Sequence, residues 1–165
     1  MLMQERLKEL IEYDCDTGIF IWVKKSSVFS RIVIGSRAGY IDCYGYRSIK
    51  IDERQYREHR LAFLYVEGAF PIEDVDHINH IKTDNRFCNL RKASEFQNMG
   101  NKITCHKNNK SSKLLGVSKY TGYSNFVARI HANGTTYNLG TFLTAEAAHT
   151  AYLEAKRKLH EFNTL

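Results

Sequence analysis

The chain has 165 residues, of which 43% are hydrophobic, enough for one ordinary domain or two small domains with packed cores. No apolar run approaches the roughly 20 residues of a transmembrane helix, and the first residues lack the apolar stretch of a secretory signal. The sequence therefore predicts an intracellular, cytoplasmic protein with no membrane partner, and it excludes wholesale disorder.

The net charge of +6 is concentrated in one stretch of the sequence. Residues 1–98 hold 15 basic and 15 acidic side chains, and residues 146–165 hold three of each. Residues 99–145 hold no acid and six basic residues, which are Lys102, Lys107, Lys110, Lys113, Lys119 and Arg129. A solvated face is the ordinary explanation of a basic stretch, but one this long without a carboxylate favours a polyanionic partner.

The first half of the chain is predicted to mix short strands with helices. In chain order the predicted elements are a helix over residues 4–13, a turn over 14–18, a strand over 19–23, a hairpin with strands over 39–41 and 46–51, and a helix over 59–66. Apolar residues at helical spacing (Leu7, Leu10 and Ile11) indicate the first helix. The turn Asp42-Cys43-Tyr44-Gly45 is typical of a hairpin connection.

A second pattern follows a polar, basic segment. Three short strands are predicted within residues 114–120, 125–132 and 135–142, followed by one helix over 144–162. Thr144 is the predicted N-cap of that helix, and Glu146 lies in its first turn, where the helix dipole favours an acid. The predicted fold class is α+β, with a first domain over residues 1–103, a basic linker over 104–113 and a second domain over 114–165.

Residues 76–98 carry the most specific pattern in the sequence. Asp76 and His77 lie on a short apolar run, Asn89 follows the histidine by twelve residues, and Asn98 lies nine residues further. Hydrolysis of a phosphodiester needs a base that deprotonates water, a cation that stabilises charge on the leaving oxygen, and rigid placement of both. His77 suits the role of base, because an ordinary imidazole is largely neutral at physiological pH.

Asp76 and Asn98 suit the binding of one divalent metal ion. Their hard oxygen atoms are ligands that Mg²⁺ accepts, and Mn²⁺ is expected to substitute for it. Neighbouring strand residues point to opposite sides, so Asp76 can face the metal while His77 faces the attacking water. Ser94 and Gln97 form a capping-box pattern, which predicts a helix with Asn98 in its first turn.

Three further features bear on the site. Asn89 is interpreted as a brace, whose amide hydrogen-bonds backbone across the turn and holds the His77 strand in register. His80 is interpreted as a loop histidine, with metal binding as the alternative, and His59 with Arg60 as either a phosphate contact or the start of a core helix. The four cysteines lack paired spacing, so free thiols and no zinc are expected; they are Cys15, Cys43, Cys88 and Cys105.

Residues 76–101 resemble the HNH nuclease motif, in the variant that ends with Asn instead of His, as in phage HNH homing endonucleases. The segments EYDCDTGIFIW, HRLAFLYVEGAFP and DHINHIKTDNRFCNL extend the resemblance over most of residues 8–101. The resemblance implies a ββα-metal core over residues 74–103 and gives the site residues the same roles: His77 as general base, Asn89 as orienting residue, and Asp76 and Asn98 as metal ligands. One carboxylate and one amide imply modest metal affinity.

The segments LLGVSKY, NFVARI, YNLGTF and TAEAAHTAY resemble the DNA-binding domain of plant ethylene-response factors, a three-stranded antiparallel sheet backed by one helix. That domain also occurs fused to HNH homing endonucleases, where its sheet face lies in the major groove of double-stranded DNA. The corresponding outward residues here are Ser118, Tyr120, Arg129, His131, Thr136 and Asn138. Lys113, Lys119 and Arg129 are expected to contact phosphates.

The two resemblances together imply a metal-dependent DNA endonuclease of the homing type, which cuts with its first domain and selects the site with its second. Two alternatives are a non-catalytic DNA-binding protein that retains a nuclease fold, and a less selective phage nuclease. The sequence shows no dimer interface, and a monomer is compatible with it.

Overall fold

The computed structural model describes residues 2–26, 31–101, 104–105, 109, 111–120 and 123–160. The chain forms two compact units, which divide between Ala93 and Ser94. Each unit combines helices with small antiparallel sheets, as the predicted α+β class requires. Among the described residues, no helix has the length and apolar character needed to cross a membrane.

The described part of the first unit contains two α-helices, seven strands and a short 3₁₀ helix. In chain order these are α1 (Gln4–Leu10), β1 (Ile11–Asp14), β2 (Ile19–Trp22), β3 (Tyr40–Ile41), β4 (Arg47–Ile51), β5 (Arg54–Arg57), α2 (Glu58–Glu67), β6 (Asp74–His77), the 3₁₀ helix (Phe87–Asn89) and β7 (Leu90–Ala93). All pairing is antiparallel: β1 with β2, β4 between β3 and β5, and β6 with β7.

The core of the first unit collects apolar side chains from α1, α2 and the strands before β6. Its fully buried members include Leu7, Leu10, Ile11, Phe20, Ile49, Ile51 and Leu61. Burying one such side chain contributes roughly 1.5–3 kcal/mol. Leu90 of β7 belongs to the same core, and Val75 of β6 packs against it. These contacts anchor both strands of the β6–β7 pair.

The first helix is shorter than predicted. Helix α1 ends at Leu10, and the following residues form strand β1 instead of a last helical turn. Burial alternates along this strand, with Ile11 and Tyr13 inside and Glu12 outside, because it pairs with β2. The prediction of helix for residues 11–13 was therefore wrong. The predicted strand over 19–23, the hairpin and the second helix are confirmed.

The second unit consists of a short helix followed by a three-stranded sheet and a long helix. Its elements are α3 (Glu95–Gly100), β8 (Val117–Lys119), β9 (Phe126–Ala132), β10 (Thr135–Phe142) and α4 (Ala145–Leu159). Strand β9 lies between β8 and β10, and all neighbours are antiparallel. The three predicted strands and the final helix are confirmed, and Thr144 Oγ1 accepts the N-cap hydrogen bond from Ala147 N at 3.2 Å.

Helix α4 packs closely on one face of this sheet. Ala148 and Tyr152 of the helix cluster with Ala128 and Ile130 of β9. Gly116, just before β8, has a φ of +74°, and a Cβ at this position would collide with the Tyr152 ring. Only glycine combines this left-handed backbone with the absence of a side chain. The opposite face of the sheet is therefore the one left for other contacts.

Part of the segment predicted as a linker is bound to the sheet. Ser112 Oγ donates a hydrogen bond to the carbonyl of Val117 at 2.7 Å, and Asn109 Nδ2 donates to the same carbonyl at 3.0 Å. These two side chains tie the end of the segment to strand β8. Helix α3 lies in the second unit, whereas the predicted first domain extended to residue 103.

Candidate active site

The candidate site is built on the last two residues of strand β6, Asp76 and His77. In the ladder with β7, Asp76 lies opposite Arg91 and His77 opposite Leu90. Both side chains are buried, with exposed fractions of 8% and 4%. The paired strand fixes the backbone of both residues, and strand alternation directs their side chains to different surroundings.

The Asp76 carboxylate is bound by a guanidinium. Its Oδ2 accepts hydrogen bonds from Arg91 Nε at 2.9 Å and from Arg91 Nη2 at 2.8 Å. A carboxylate is a hard oxygen donor, so the chemistry of Asp76 fits a divalent ion of the Mg²⁺ type. Arg91 already balances this charge, so a cation bound at Asp76 would compete with the guanidinium.

The His77 imidazole is held by an asparagine that the sequence analysis did not single out. His77 Nε2 lies 3.1 Å from Asn85 Oδ1. Burial lowers the pKa of His77, and the contact with Asn85 and the nearby Asp76 carboxylate oppose that shift. The imidazole is therefore neutral at physiological pH, the form in which it can accept a proton from water.

Asn85 is itself bound by a buried ion pair. Its Nδ2 donates to Glu58 Oε2 at 2.9 Å, and both carboxylate oxygens of Glu58 accept from Arg47 Nε, at 2.9 and 3.0 Å. Glu58 is fully buried at the start of α2, and Asn85 is 1% exposed. No signal in the sequence distinguished Asn85 from other polar loop residues. For Glu58, the only signal in the sequence was that it is a charged residue just before the apolar run of α2.

Asn89 closes the turn between β6 and β7. Its Oδ1 accepts from the Asn79 backbone N–H at 3.0 Å, and its Nδ2 donates to the Asp84 carbonyl at 2.9 Å. The Asn89 carbonyl also accepts from Ile78 N at 2.9 Å. These contacts have the geometry expected of a brace across the turn, and its role in catalysis stays a prediction.

A second histidine and two cations surround His77. The His59 and His77 rings meet edge to face at 5.2 Å, and His59 Nδ1 is buried with no hydrogen-bond partner among the described residues. The Tyr46 ring lies 5.3 Å from His59 and 6.1 Å from His77. Arg57 and Lys82 lie over that Tyr46 ring, at 4.5 and 4.7 Å from its centre. His77 therefore has cationic side chains nearby as well as the carboxylates of Asp76 and Asp84.

The buried His59 predicts a pH-dependent stability of the first unit. Burial, followed by electrostatic interaction with the nearby His77 and Arg57, lowers the pKa of His59 to about 3. An unfolded histidine titrates near pH ~6.5, so below that pH the unfolded chain binds a proton that the folded chain excludes. Stability is therefore unaffected by His59 above that pH and falls as pH decreases, by up to about 1.4 kcal/mol per pH unit.

We expect His59→Phe to remove this contribution and flatten the decline in stability between pH 7 and pH 5. Urea unfolding followed by fluorescence of Trp22 measures it, because Trp22 is the sole tryptophan and is buried in the first unit. Parallel declines for the wild type and the variant would contradict the buried, neutral state of His59.

The helix that carries Asn98 begins as predicted. Ser94 N donates to Gln97 Oε1 at 2.9 Å and Gln97 N donates to Ser94 Oγ at 3.3 Å, so the capping box is confirmed. Asn98 is half-buried in α3 and belongs to the second unit, and its metal role stays a prediction. His80 lies in the turn after β6 with a φ of +62°, which is consistent with a loop histidine.

The described residues of the predicted DNA-binding set are all exposed in the second unit. They are Lys113, Ser118, Lys119, Tyr120, Arg129, His131, Thr136 and Asn138. The ladder between β9 and β10 places Arg129 opposite Asn138 and His131 opposite Thr136. Alternation in β9 puts Arg129 and His131 on the face opposite α4. Lys102, Lys107 and Lys110 lie outside the described residues.

All four cysteines are free thiols; Cys15, Cys43 and Cys88 are exposed, and Cys105 is half-buried.

Residues 56–99 match a family model described as HNH endonuclease. This segment contains β6, β7 and most residues of the His77 site, whereas Tyr46 and Arg47 precede it. The chain is also 33% identical over 133 residues to an uncharacterized HNH endonuclease of Acanthamoeba polyphaga mimivirus, and the match covers 79% of this chain and 67% of that relative. No solved structure matches the chain.

Proposed function

This chain belongs to the HNH endonuclease family, and on that premise we propose that it hydrolyses phosphodiester bonds of double-stranded DNA with one divalent metal ion. One observation carries this proposal: the buried Asp76–His77 pair at the end of β6, within the segment that the family model matches. The antiparallel pairing of β6 with β7 supports the two-strand part of the ββα-metal core around that pair.

His77 acts as the general base. Its neutral imidazole takes a proton from a water molecule, and the resulting hydroxide attacks phosphorus while the bond to the leaving oxygen breaks. Asn89 holds the turn that follows β6, so that His77 keeps its position relative to the attacked phosphate. We expect Arg57 and Lys82, which lie over the Tyr46 ring, to contact neighbouring phosphates of the DNA backbone.

Asp76 and Asn98 are the proposed metal ligands. The bound ion, Mg²⁺ or Mn²⁺ in its place, supplies stabilisation of the charge that develops on the leaving oxygen. One carboxylate that is already paired with Arg91, together with one amide, supports a modest affinity. Zinc is not part of the proposal, because the cysteines lack the paired spacing of a zinc site.

The second unit is the proposed reader of the target site. Its three-stranded sheet with a helix on one face supports the resemblance to ethylene-response-factor domains. The face opposite α4 presents Arg129, His131, Thr136 and Asn138, and double-stranded DNA is the partner that fits their donors and charge. We infer a homing endonuclease of the phage type, acting inside the host cell on a chosen site.

Supercoiled plasmid provides the test. Incubation with the protein and Mg²⁺ should convert it to nicked or linear DNA, and the cut ends should map to a preferred sequence. Cuts scattered over the plasmid would favour a less selective nuclease. DNA binding without cleavage would favour a DNA-binding protein that retains a nuclease fold.

The sheet residues should also determine the salt dependence of binding. Each phosphate contact contributes a slope of roughly −0.9 to log K against log salt on duplex DNA. Replacing both Lys119 and Arg129 with Ala should therefore flatten the slope by about 1.8 and weaken binding. Fluorescence anisotropy with labelled duplex in EDTA measures affinity without cleavage.

The matched control removes the same amount of charge from helix α4. Arg157 and Lys158 are exposed there, and changing both to Ala should leave the slope close to that of the wild type. Equal effects of the two double variants would show that Lys119 and Arg129 make no phosphate contact and that only net charge matters.

A further inference from the structure

We propose that Asn85, oriented by Glu58 and Arg47, fixes the tautomer of His77, so that Nε2 carries the hydrogen and Nδ1 accepts the proton from water. Asn85 and Glu58 are then positioning residues, which act on the reaction through His77. The catalytic consequence rests on the proposed nuclease function, whereas the tautomer itself follows from the hydrogen bonds of the folded chain.

The direction of each hydrogen bond in this chain of contacts follows from Arg47. A guanidinium only donates, and Arg47 Nε lies 2.9 and 3.0 Å from the two oxygens of Glu58, which therefore accept. Burial raises the pKa of Glu58, and the charge and hydrogen bond of Arg47 counter that rise. Paired with a guanidinium, the carboxylate is ionised and has no hydrogen to donate.

This acceptor determines which way the Asn85 amide faces. Its NH₂ group must point to Glu58 Oε2, at 2.9 Å, because the reverse orientation would set two oxygens against each other. Oδ1 then points to His77 Nε2, at 3.1 Å. An oxygen acceptor at that distance requires an N–H, and a neutral imidazole has only one. Nδ1 is therefore the nitrogen with the lone pair.

Contacts from strand β1 and the turn after it hold the backbone of Asn85 in place. Tyr13 Oη donates to the Asn85 carbonyl at 2.7 Å, and Phe87 N donates to the Cys15 carbonyl at 2.9 Å. Gly18 lies so close that a Cβ there would collide with the backbone of Asn85, and its φ is +72°. The turn between β1 and β2 thus clamps the loop that carries Asn85.

The imidazole is confined in the same way. His59 meets the His77 ring edge to face, with an angle of 87° between the planes, and Tyr46 lies beside both rings. A half-turn of the His77 ring would exchange its nitrogens and break the bond to Asn85. In the opposite tautomer, Nδ1–H would face the water and could not accept its proton.

Asn85→Ala should therefore mix the two tautomers and reduce kcat with little change in KM, by about 10- to 100-fold if its effect is as large as that of residues that orient metal-ligating histidines. Glu58→Gln is a second, independent variant. A neutral amide can donate to or accept from Asn85, so the Asn85 amide is no longer fixed and the tautomers should mix again. Arg47 keeps its hydrogen bond to the Ala38 carbonyl at 2.8 Å in that variant.

The readout is ¹⁵N NMR of the histidine side chains in the full-length protein, at a pH where His77 is neutral, with His77→Ala used to assign its signals. Long-range ¹H–¹⁵N couplings distinguish an imidazole protonated on Nε2 from one protonated on Nδ1. Tyr13→Phe is the matched control. This substitution removes the hydrogen bond from Tyr13 to the Asn85 carbonyl and so loosens the same loop. It leaves the contacts of the Asn85 side chain with His77 and Glu58, so the Nε2–H tautomer should be kept.

We expect a single Nε2–H tautomer in the wild type and in Tyr13→Phe, and a mixture in Asn85→Ala and Glu58→Gln. A wild-type imidazole protonated on Nδ1 would overturn the inference, as would unchanged tautomer populations in Asn85→Ala. If the tautomers behave as expected but no plasmid is cleaved, the proposed nuclease function fails and the tautomer assignment stands.

Discussion

His77→Ala should reduce the rate of DNA cleavage by about 10²–10⁴-fold, the usual cost of losing a general base. DNA affinity should change little, because His77 is 4% exposed and offers almost no surface for DNA contact. Single-turnover cleavage gives the rate, and anisotropy in EDTA gives the affinity. Urea unfolding monitored through Trp22 verifies that the first unit stays folded.

His80→Ala is the matched control for this prediction. His80 follows His77 by three residues and lies in the turn, with a φ of +62°. Its substitution should leave cleavage within a few-fold of the wild type. If His80→Ala is inactive and His77→Ala is not, the general base is His80.

Removal of the divalent ion should abolish cleavage, and Mg²⁺ or Mn²⁺ should restore it. Asp76→Ala should stay inactive even in excess metal, for two reasons. The variant loses the carboxylate ligand, and it leaves the positive charge of Arg91, which now pairs with Asp76 Oδ2 at 2.8 Å, to repel the incoming cation. Cleavage assays with EDTA and with increasing Mg²⁺ measure both effects.

Asp74→Ala is the corresponding control on the same strand. Asp74 is exposed and lies opposite Ala93 in the ladder, two residues before Asp76. The variant loses one carboxylate without touching the proposed metal site, so its Mg²⁺ dependence should match that of the wild type. Cleavage by the wild type in excess chelator would contradict a metal-dependent mechanism. Asn98→Asp should tighten metal binding by adding a second carboxylate.

Local signals in the sequence were sufficient to predict most of the helices and strands. The hairpin of β3 and β4 has a typical turn sequence between its strands, and the capping box before Asn98 forms both of its hydrogen bonds. The end of α1 was misjudged because Leu10 and Ile11 fit both the helical and the strand period. Strand β7 was implied only by the resemblance, since Arg91 and Lys92 give its residues no apolar alternation and its pairing with β6 creates the strand.

The site was predictable to the extent that its residues lie in one segment. Asp76, His77 and Asn89 stand out through their spacing, whereas Asn85 and Glu58 are ordinary polar residues whose roles arise from contacts across 27 positions of sequence. The distribution of charge along the sequence also failed to predict which cations lie near the site. Arg57 and Lys82 lie far apart in the neutral first half, and only the fold brings both onto the ring of Tyr46.

The division of labour between the adjacent residues Asp76 and His77 can be tested by one measurement. It is the single-turnover rate of DNA cleavage as a function of Mg²⁺ concentration, for the wild type, His77→Ala and Asp76→Ala. His77→Ala should keep the wild-type Mg²⁺ midpoint and lose about 10²–10⁴-fold at the plateau. Asp76→Ala should stay inactive at every Mg²⁺ concentration. If His77→Ala reached the wild-type plateau, or if Asp76→Ala kept the wild-type rate and midpoint, β6 would not be the catalytic strand.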